Sequence, residues 1–463
     1  MNSSSSVFLA RSDLQLLIDR LAEQGFEVIG PTIAQAAIVY DRISSVSELP
    51  QGWTDRQAPG EYLLERREDD QLFGYVVGPH SWKRYLFPPL TTLTTADLTT
   101  NGWQMRAADD NPPKYAFLGV RACELAAIRV QDKVFLEGAY VDPTYQRRRQ
   151  NAFIVAVNCT QAASTCFCTS MEAGPRCRSG FDLEMTELPD DFEVEVGTPA
   201  GEELLRQLPT TSIAEQQLAD AEQRRQQAVD QITRKPDTEG IRDLLLTRLN
   251  HPRWEEVGQR CLSCTNCTMV CPTCFCSSVE EVSDLEGQHS ERERRWDSCF
   301  NLDFSYVSGG PVRRDIRSRY RQWLTHKLAS WIDQFGSSGC VGCGRGITWC
   351  PVGIDLTEEV AALWIESHAL HVHLLHAPDF LGYDSGIDMA KDFPNEVNRG
   401  LRLKKHGNQL LEVPGGRAIH PINVAVGGFY RAPRRDELTP LITDFEWCLQ
   451  AAAETTRWLA TLN

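Results

Sequence analysis

The sequence predicts an α+β protein in which an α/β domain precedes a helical, cysteine-rich module. The first two hundred residues contain short apolar runs that alternate with amphipathic stretches, as in a sheet covered by helices. The second half contains two groups of closely spaced cysteines, separated by a long amphipathic stretch. A mixed segment of helix and Gly/Pro-rich chain then follows.

Bulk composition narrows the classes of function. The chain has 463 residues, enough for about three domains. Its 47 basic and 63 acidic residues give a net charge of −16, which argues against nucleic acid as a partner. It has no run of about 18 apolar residues that would span a membrane. Its first residues lack the basic region of a secretory signal, so we expect a cytoplasmic protein.

The predicted α/β domain covers residues 1–200. Amphipathic spacing predicts helices at 12–24 and 123–136. Short apolar or β-branched runs with turn residues at their ends predict buried strands. These runs are EVIGPT (27–32), AAIVYDRI (36–43), LFGYVVGP (72–79), KYAFLGV (114–120) and AFIVAVN (152–158).

Residues 201–250 are predicted to form a helical linker, because they are charged, rich in glutamine and composed of strong helix formers. Residues 251–362 are predicted to form the cysteine-rich module. Within it, VRRDIRSRYRQWLTHKLASWIDQF (312–335) reads as one long amphipathic helix. Its apolar side consists of Trp323, Leu324, Leu328 and Trp331.

The strongest motif in the chain is C-x2-C-x2-C-x3-C-P, at Cys261, Cys264, Cys267 and Cys271. This spacing supplies three thiolates to one iron–sulfur cluster and sends the fourth to a second cluster. Structural zinc sites instead pair two well-separated C-x2-C units, so the spacing favours iron–sulfur over zinc. A second, incomplete motif contains Cys340, Cys343 and Cys350. Because two such motifs are joined by a long helical stretch, we predict a helical dicluster ferredoxin module.

The cross-over rule assigns the ligands of two clusters. Cluster one is expected to bind Cys261, Cys264, Cys267 and Cys350. Cluster two is expected to bind Cys271, Cys340 and Cys343, because Gly346 occupies the position of a further cysteine. Three alternatives remain open for cluster two: a [3Fe-4S] cluster, a [4Fe-4S] cluster with an outside ligand, or no cluster. The candidate outside ligands are Cys274, Cys276 and Cys299.

A second group of cysteines lies in the α/β domain. Cys159, Cys166 and Cys168 follow a predicted strand, and Cys123 follows another. Four thiolates there could hold a third cluster, although their spacing matches no standard motif and buried packing is the alternative. Further along, His368, His371, His373 and His376 could chelate a metal, but packing of one helix face is the simpler interpretation.

Several segments resemble the β subunit of soluble [NiFe] hydrogenases of the sulfhydrogenase type. They are FLGVRACELAAI, VNCTQAASTCFCTSMEAGPR, CLSCTNCTMVCPTCFCSSVE, RRWDSCFNLDFSYV and CVGCGRGITWCPVGIDLT. The related A-type subunit of anaerobic sulfite reductase shares this architecture. The resemblance covers about residues 1–362 and implies an electron carrier between a catalytic partner and a flavin/NAD(P)-linked subunit. In that family, position 346 would be cysteine.

Residues 363–463 resemble an internal segment of the [NiFe] hydrogenase large subunit. The resemblance rests on WIESHALHVHLLHAPDFLGYDSGIDMAKDFP and RGLRLKKHGNQLLEVPGGRAIHPINVAVGGFYRAP. In that family, two C-x2-C motifs bind nickel. This segment contains only Cys448, and one thiolate cannot build that site. The sequence therefore predicts a large-subunit-like fragment without nickel.

Together these observations predict an iron–sulfur electron-transfer subunit of a cytoplasmic [NiFe] hydrogenase complex, with no catalytic residue of its own. Expected partners are the catalytic and small hydrogenase subunits and a flavin/NAD(P)-linked subunit. The expected cofactors are one [4Fe-4S] cluster and a second [4Fe-4S] or [3Fe-4S] cluster. Alternatives are a truncated large-subunit-like polypeptide, the A-type subunit of an anaerobic sulfite reductase, and a scaffold whose clusters only hold the fold.

Overall fold

An eight-stranded mixed sheet organises the N-terminal part of the protein. Its spatial order is Thr210–Thr211, Val7–Ala10, Asp191–Val196, Leu183–Glu187, Phe153–Val157, Lys114–Val120, Phe26–Ala34 and Ala37–Arg42. Its central pairs are parallel, whereas the strands towards both edges pair antiparallel. Parallel strands are buried on both faces, which explains why the apolar runs identified several of them.

The structure is a computed structural model that describes residues 6–108, 111–212, 215–415, 424–425, 428–429 and 435–462. By internal contacts the chain divides into two units. The first unit comprises residues 1–238, 265–312 and 326–353. The second unit comprises residues 239–264, 313–325 and 354–463. These units differ from the four segments expected from the sequence, and that four-part division stays a prediction.

The helices of the first unit accompany the sheet. The described α-helices are Leu14–Glu23, Lys83–Leu86, Ala122–Phe135, Pro143–Gln150, Pro199–Leu205, Glu215–Gln231, Asn266–Met269, Trp331–Phe335 and Arg345–Thr348. Short 3₁₀ turns lie at Arg11–Asp13, Val46–Glu48 and Asp303–Ser305. Leucine, valine and phenylalanine side chains of the sheet and of helix Leu14–Glu23 form one buried core.

A second sheet in the first unit was not expected from the sequence. It has four antiparallel strands in the order Ser277–Ser283, His289–Trp296, Leu90–Thr99 and Gly102–Ala107. Ser277–Ser283 is mostly exposed and His289–Trp296 is charged and mostly half-buried, so neither carries an apolar alternation. Two further hairpins pair Trp53–Ala58 with Glu61–Arg66, and Tyr306–Val307 with Gly310–Pro311.

The prediction of a strand at residues 72–79 is wrong. These residues are buried but form no strand, because side chains satisfy their backbone groups. The Glu187 carboxylate accepts hydrogen bonds from the amides of Leu72 and Phe73, at 2.7 and 2.8 Å. The guanidinium of Arg121 donates to the carbonyls of Phe73 and Tyr75. An apolar run predicts burial but not the type of element. Here buried charged side chains make the backbone hydrogen bonds that a neighbouring strand would otherwise make.

Helices dominate the second unit. Its described α-helices are Ile241–Thr247, Arg253–Arg260, Ile316–Thr325, Leu356–Leu370, Ala377–Leu381, Gly386–Met389, Pro394–Gly415 and Arg435–Leu459. A π-helical segment lies at His371–His376, and a small hairpin pairs Val424–Ala425 with Gly428–Phe429. His373 is buried, and its ring stacks near that of Trp458. The side chains of His368 and His371 lie outside the described residues.

The long helix expected at 312–335 is present as three helical segments. They are Ile316–Thr325, a π-helical stretch His326–Ser330, and Trp331–Phe335. The apolar positions expected from the sequence, Trp323, Leu324, Leu328 and Trp331, are all buried. No helix in the described part of the chain is long and apolar enough to cross a membrane.

Candidate metal centre

All sixteen cysteines are present as free thiols. A chain that clusters so many cysteines without pairing them in disulfides keeps their sulfurs available as metal ligands. Among the described residues, no group of three or more His, Cys, Asp or Glu side chains is arranged around a single ion position.

The first motif begins at the end of a helix in the second unit. Helix Arg253–Arg260 ends at Cys261, whose sulfur accepts a hydrogen bond from the amide of Ser263 at 3.4 Å. The buried carboxylate of Glu359 holds this helix, because it pairs with both Arg253 and Arg260. Cys264 follows and is exposed. Both thiols therefore lie on a segment whose start is fixed by buried ion pairs.

The rest of the first motif belongs to the first unit. Cys267 lies in the short helix Asn266–Met269, and Cys271 follows it. The side-chain amide of Asn266 donates to the carbonyl of Trp349 at 2.6 Å. That bond ties the helix of Cys267 to the residue that directly precedes Cys350.

The second motif lies on a loop that packs against residues 165–168. At Gly342, which has φ +66°, an added Cβ would lie 2.6 Å from the backbone of Phe167 and Cys168. Gly344, with φ +77°, is equally close to Thr165. The amide of Phe167 also donates to the carbonyl of Gly342 at 2.9 Å. Glycine is required at both positions, since a side chain would push the loop away.

A buried ion pair anchors the end of this loop. Arg345 is fully buried, and its guanidinium lies 2.5 Å from the Glu124 carboxylate. It also donates to the carbonyls of Gly78 and His80, both at 2.7 Å. The same carboxylate accepts from the hydroxyl of Tyr40 and the indole of Trp82. The position of Cys343 is therefore coupled to the core of the α/β fold.

Gly346, the departure from the motif, faces open space. An added Cβ there would have no atom within 4 Å among its described surroundings, and the residue does not have a positive φ. The backbone would accept a cysteine, but the native chain supplies no sulfur at this point.

The buried ammonium of Lys327 contacts Cys271 and interacts with Cys274 and Cys340. The Nζ atom of Lys327 lies 3.2 Å from Sγ of Cys271, 2.9 Å from Oγ1 of Thr273 and 3.1 Å from the carbonyl of Gly339. Cys274 and Cys340 also interact electrostatically with this ammonium. None of these three hydrogen-bond acceptors is a carboxylate. The neighbouring cysteine sulfurs therefore compensate the positive charge of Lys327.

The electrostatics of this group follow from those contacts. A hydrogen bond from Cys274, with the ammonium of Lys327 nearby, holds the pKa of Cys271 well below its ordinary value despite burial. Burial disfavours the charged form of Lys327, but the sulfurs of Cys271, Cys274 and Cys340 hold its pKa well above the usual range. Thiolates are the form in which cysteine binds iron. The hydrogen bond to Cys271 and burial raise the pKa of Cys274, and burial raises the pKa of Cys340 to about 11, so of these three cysteines Cys271 alone is favoured as the thiolate. The group still supplies three sulfurs, the ligand atoms that an iron–sulfur cluster requires.

Cys276 and Cys299 form a second pair next to this group, since Cys276 interacts electrostatically with Lys327 and Cys299 with Cys274. They lie just outside the two ends of the charged hairpin, in which Ser277 pairs with Trp296. The thiol of Cys299 is hydrogen-bonded to the sulfur of Cys276, which lowers the pKa of Cys276 to about 7. Their sulfurs therefore face each other.

The cysteines of the expected third site also come together. Cys123, Cys166 and Cys168 pack in one buried cluster that includes Cys343, and Cys159 interacts with Cys123, Cys166 and Cys168 electrostatically. Burial raises the pKa of every member, to about 12 for Cys166. Burial here favours thiols, in contrast to Cys271, whose thiolate is favoured by the hydrogen bond from Cys274 and by the ammonium of Lys327.

Two lysines at the centre were not identified from the sequence. Lys327 lies in a helix that reads as amphipathic, and Lys83 lies in a short helix remote in sequence. Lys83 is buried, donates to the carbonyl of Cys274 at 3.1 Å and lies over the ring of Trp296. A lysine at an apolar helical position was the only available signal for Lys327.

Comparison with known proteins agrees with this site. The 4Fe-4S dicluster domain family matches residues 260–354, which contain both motifs. The beta subunit of sulfhydrogenase 2 from Pyrococcus furiosus is 34% identical over 252 residues, which are 53% of this chain and 73% of the relative. The chain belongs to the sulfhydrogenase β-subunit family. The iron–sulfur and hydrogenase character expected from the motifs is confirmed for this family member.

Other segments match alpha subunits of sulfhydrogenases from the same organism. The alpha subunit of sulfhydrogenase 2 is 46% identical over 95 residues, 19% of this chain and 23% of the relative. The alpha subunit of sulfhydrogenase 1 is 35% identical over 120 residues, 24% of this chain and 28% of the relative. The chain spans less than a third of these relatives. It thus joins β-subunit-like and α-subunit-like sequence in one polypeptide.

Proposed function

We propose that the protein is an iron–sulfur electron-transfer subunit of a cytoplasmic [NiFe] hydrogenase complex. The observation that carries the proposal is the convergence of Cys271, Cys274 and Cys340 on Lys327, within the segment that matches the dicluster domain. A bound cluster would supply one-electron oxidation and reduction, and the chain's own residues would hold and shield it.

In this proposal, Cys261, Cys264, Cys267 and Cys350 hold cluster one, a [4Fe-4S] cluster. Cys271, Cys340 and Cys343 hold cluster two. Cys123, Cys159, Cys166 and Cys168 are a candidate third site, whose members share a buried cluster or interact electrostatically.

The partners follow from the same role. An electron carrier needs a donor and an acceptor, and we propose a flavin/NAD(P)-linked subunit on one side and the hydrogenase catalytic and small subunits on the other. Residues 363–463 would contribute an α-subunit-like segment to that assembly. With Cys448 as its single cysteine, this segment would bind no nickel.

Metal analysis of anaerobically purified protein tests the proposal. We expect about seven to eight irons per chain from two clusters, more if the third site is filled, and no stoichiometric nickel. The visible absorption should bleach reversibly on reduction. Irreversible loss of colour would favour the scaffold alternative, in which the clusters only hold the fold. One tightly bound nickel per chain would favour the large-subunit-like alternative.

A further inference from the structure

Cluster two lacks a cysteine at position 346, where the motif would have its third cysteine. Cys340 and Cys343 come from the second motif and Cys271 from the first, while Gly346 contributes no side chain. The space beside Gly346 is open within 4 Å of an added Cβ. A four-iron cluster at this point would need a fourth thiolate from elsewhere in the chain.

Cys274 lies where such a thiolate is needed. Its thiol is hydrogen-bonded to the sulfur of Cys271, and both sulfurs interact with the ammonium of Lys327. Cys340 interacts with the same ammonium. Cys271 and Cys274 are also separated by two residues, the spacing with which Cys340 and Cys343, or Cys261 and Cys264, are expected to bind one cluster.

We propose that Cys274 replaces the missing cysteine and, with Cys271, Cys340 and Cys343, completes a [4Fe-4S] cluster two. This inference rests on the proposed function, since it concerns the ligands of a cluster that the function requires. It selects one of the alternatives that the sequence left open and makes the three-iron form unnecessary.

The two other candidate ligands lie near the same group but pair with each other: Cys276 interacts electrostatically with Lys83 and Lys327, and Cys299 with Cys274. The sulfurs of Cys276 and Cys299 are hydrogen-bonded to each other beside the charged hairpin. The amide of Asp297 also donates to the carbonyl of Cys276 at 2.8 Å, which extends the hairpin and fixes this pair. Cys274 is hydrogen-bonded instead to Cys271, the cysteine of the first motif that is expected to bind cluster two.

Two buried lysines supply independent support. Lys327 contacts Sγ of Cys271, and Lys83 donates to the carbonyl of Cys274 while its ammonium is attracted to both sulfurs. A buried ammonium is costly unless a negative group compensates its charge, and both lysines contact the segment 271–274. A cluster bound by four thiolates carries net negative charge and meets that requirement.

The experiment compares five forms of the full chain, purified anaerobically: the native protein, Cys274→Ala, Cys276→Ala, Gly346→Cys, and the double variant Cys274→Ala/Gly346→Cys. Iron and sulfide content, Mössbauer spectra and EPR in both oxidation states are measured for each. Alanine is used because a serine oxygen could itself bind iron. Cys276→Ala is the matched control, because Cys276 lies two positions from Cys274 but is hydrogen-bonded to Cys299 and not to Cys271.

We expect the native protein and Cys276→Ala to contain two four-iron clusters. Cys274→Ala should lose one to four irons per chain and, if three irons remain, show a new EPR signal in the oxidised state. In the double variant, the thiol introduced at position 346 should restore the second four-iron cluster. That restoration separates loss of a ligand from loss of folding, since a misfolded chain would not be rescued.

Two results would overturn the inference and leave the proposed function intact. One is a Cys274→Ala variant with native iron content and two reducible four-iron clusters. The other is a native three-iron signal that Gly346→Cys alone abolishes, because cluster two would then have had only three ligands. Native protein without any reducible cluster would overturn both the inference and the proposed function.

Discussion

The Nζ atom of Lys327 lies 3.2 Å from the sulfur of Cys271, inside the protein and away from solvent. A hydrogen bond and a positive charge at a cluster ligand both favour the reduced, more negative state of the cluster. Lys327 should therefore set the reduction potential of cluster two.

Replacing Lys327 with methionine should lower that potential. Hydrogen bonds to charged groups contribute about 1.5–3 kcal/mol. At about 59 mV per tenfold change for one electron, this corresponds to about 60–130 mV. The measurement is a redox titration followed by EPR. Lys83→Met should have a smaller effect, because Lys83 donates to a carbonyl and not to sulfur. Exposed Lys114→Met should have none. An unchanged or higher potential in Lys327→Met would contradict this role.

How far the sequence predicts the structure depends on which signal each residue carries. Lys114–Val120 and Phe153–Val157 are buried central strands, and their continuous apolar runs identified them. Ser277–Ser283 and His289–Trp296 are charged and held by neighbours such as the Arg292–Glu281 pair, so no apolar period marks them. Periodicity detects strands with an apolar face, and strands composed of polar and charged residues escape it.

The candidate site likewise contains residues that the sequence identifies and residues that it does not. Cysteine spacing is a local property, and it located both motifs without knowledge of the fold. The roles of Lys327 and Glu124 depend on contacts between segments distant in sequence: Glu124 reaches Arg345 across 221 residues. Such contacts arise from tertiary packing, and a single sequence carries no direct sign of them.

The Glu124–Arg345 pair should be important for stability. Glu124→Gln would leave the buried guanidinium of Arg345 without its counter-charge, which typically costs about 3–5 kcal/mol. The check is the midpoint of urea unfolding, followed by circular dichroism. Glu27→Gln is the matched control, since Glu27 pairs with Arg42 at the surface and should change stability by less than about 1 kcal/mol. Equal effects of the two substitutions would show that burial of the pair is unimportant.

Glu184 should make stability fall as the pH rises. Burial in strand Leu183–Glu187, with repulsion from Glu195, raises its pKa from 4.5 to about 8. Between these values the unfolded chain loses the proton and the folded protein keeps it, so unfolding becomes easier with rising pH. Below pH 4.5 both states are protonated and the effect vanishes. The full loss, reached above pH 8, is up to about 4–5 kcal/mol.

Unfolding measured from pH 4.5 to 9 tests this dependence. Glu184→Gln keeps the neutral shape and should remove that part of the slope, giving a variant that is more stable than the native protein at pH 8. The exposed Glu203→Gln serves as control and should leave the slope unchanged. Parallel pH profiles for the native protein and Glu184→Gln would show that Glu184 is ionised in the fold at ordinary pH.

Cys267 and Cys271 are four positions apart but should serve different clusters. The helix of Cys267 is bonded through Asn266 to Trp349, next to Cys350, the expected fourth ligand of cluster one. Cys271 lies beyond that helix, followed by Pro272, and contacts Lys327 in the group expected to hold cluster two. The helix and the proline therefore separate the two sulfurs.

Alanine at each position distinguishes the two assignments. Cys267→Ala should damage cluster one and spare cluster two, whereas Cys271→Ala should do the reverse, each with a loss of about one to four irons per chain. EPR identifies the remaining cluster, because only cluster two should shift its potential when Lys327→Met is added. In Cys267→Ala the surviving signal should therefore respond to that substitution, and in Cys271→Ala it should not. If both variants lose the same cluster, all four cysteines of the first motif bind one centre, and Cys340, Cys343 and Cys350 must form the other.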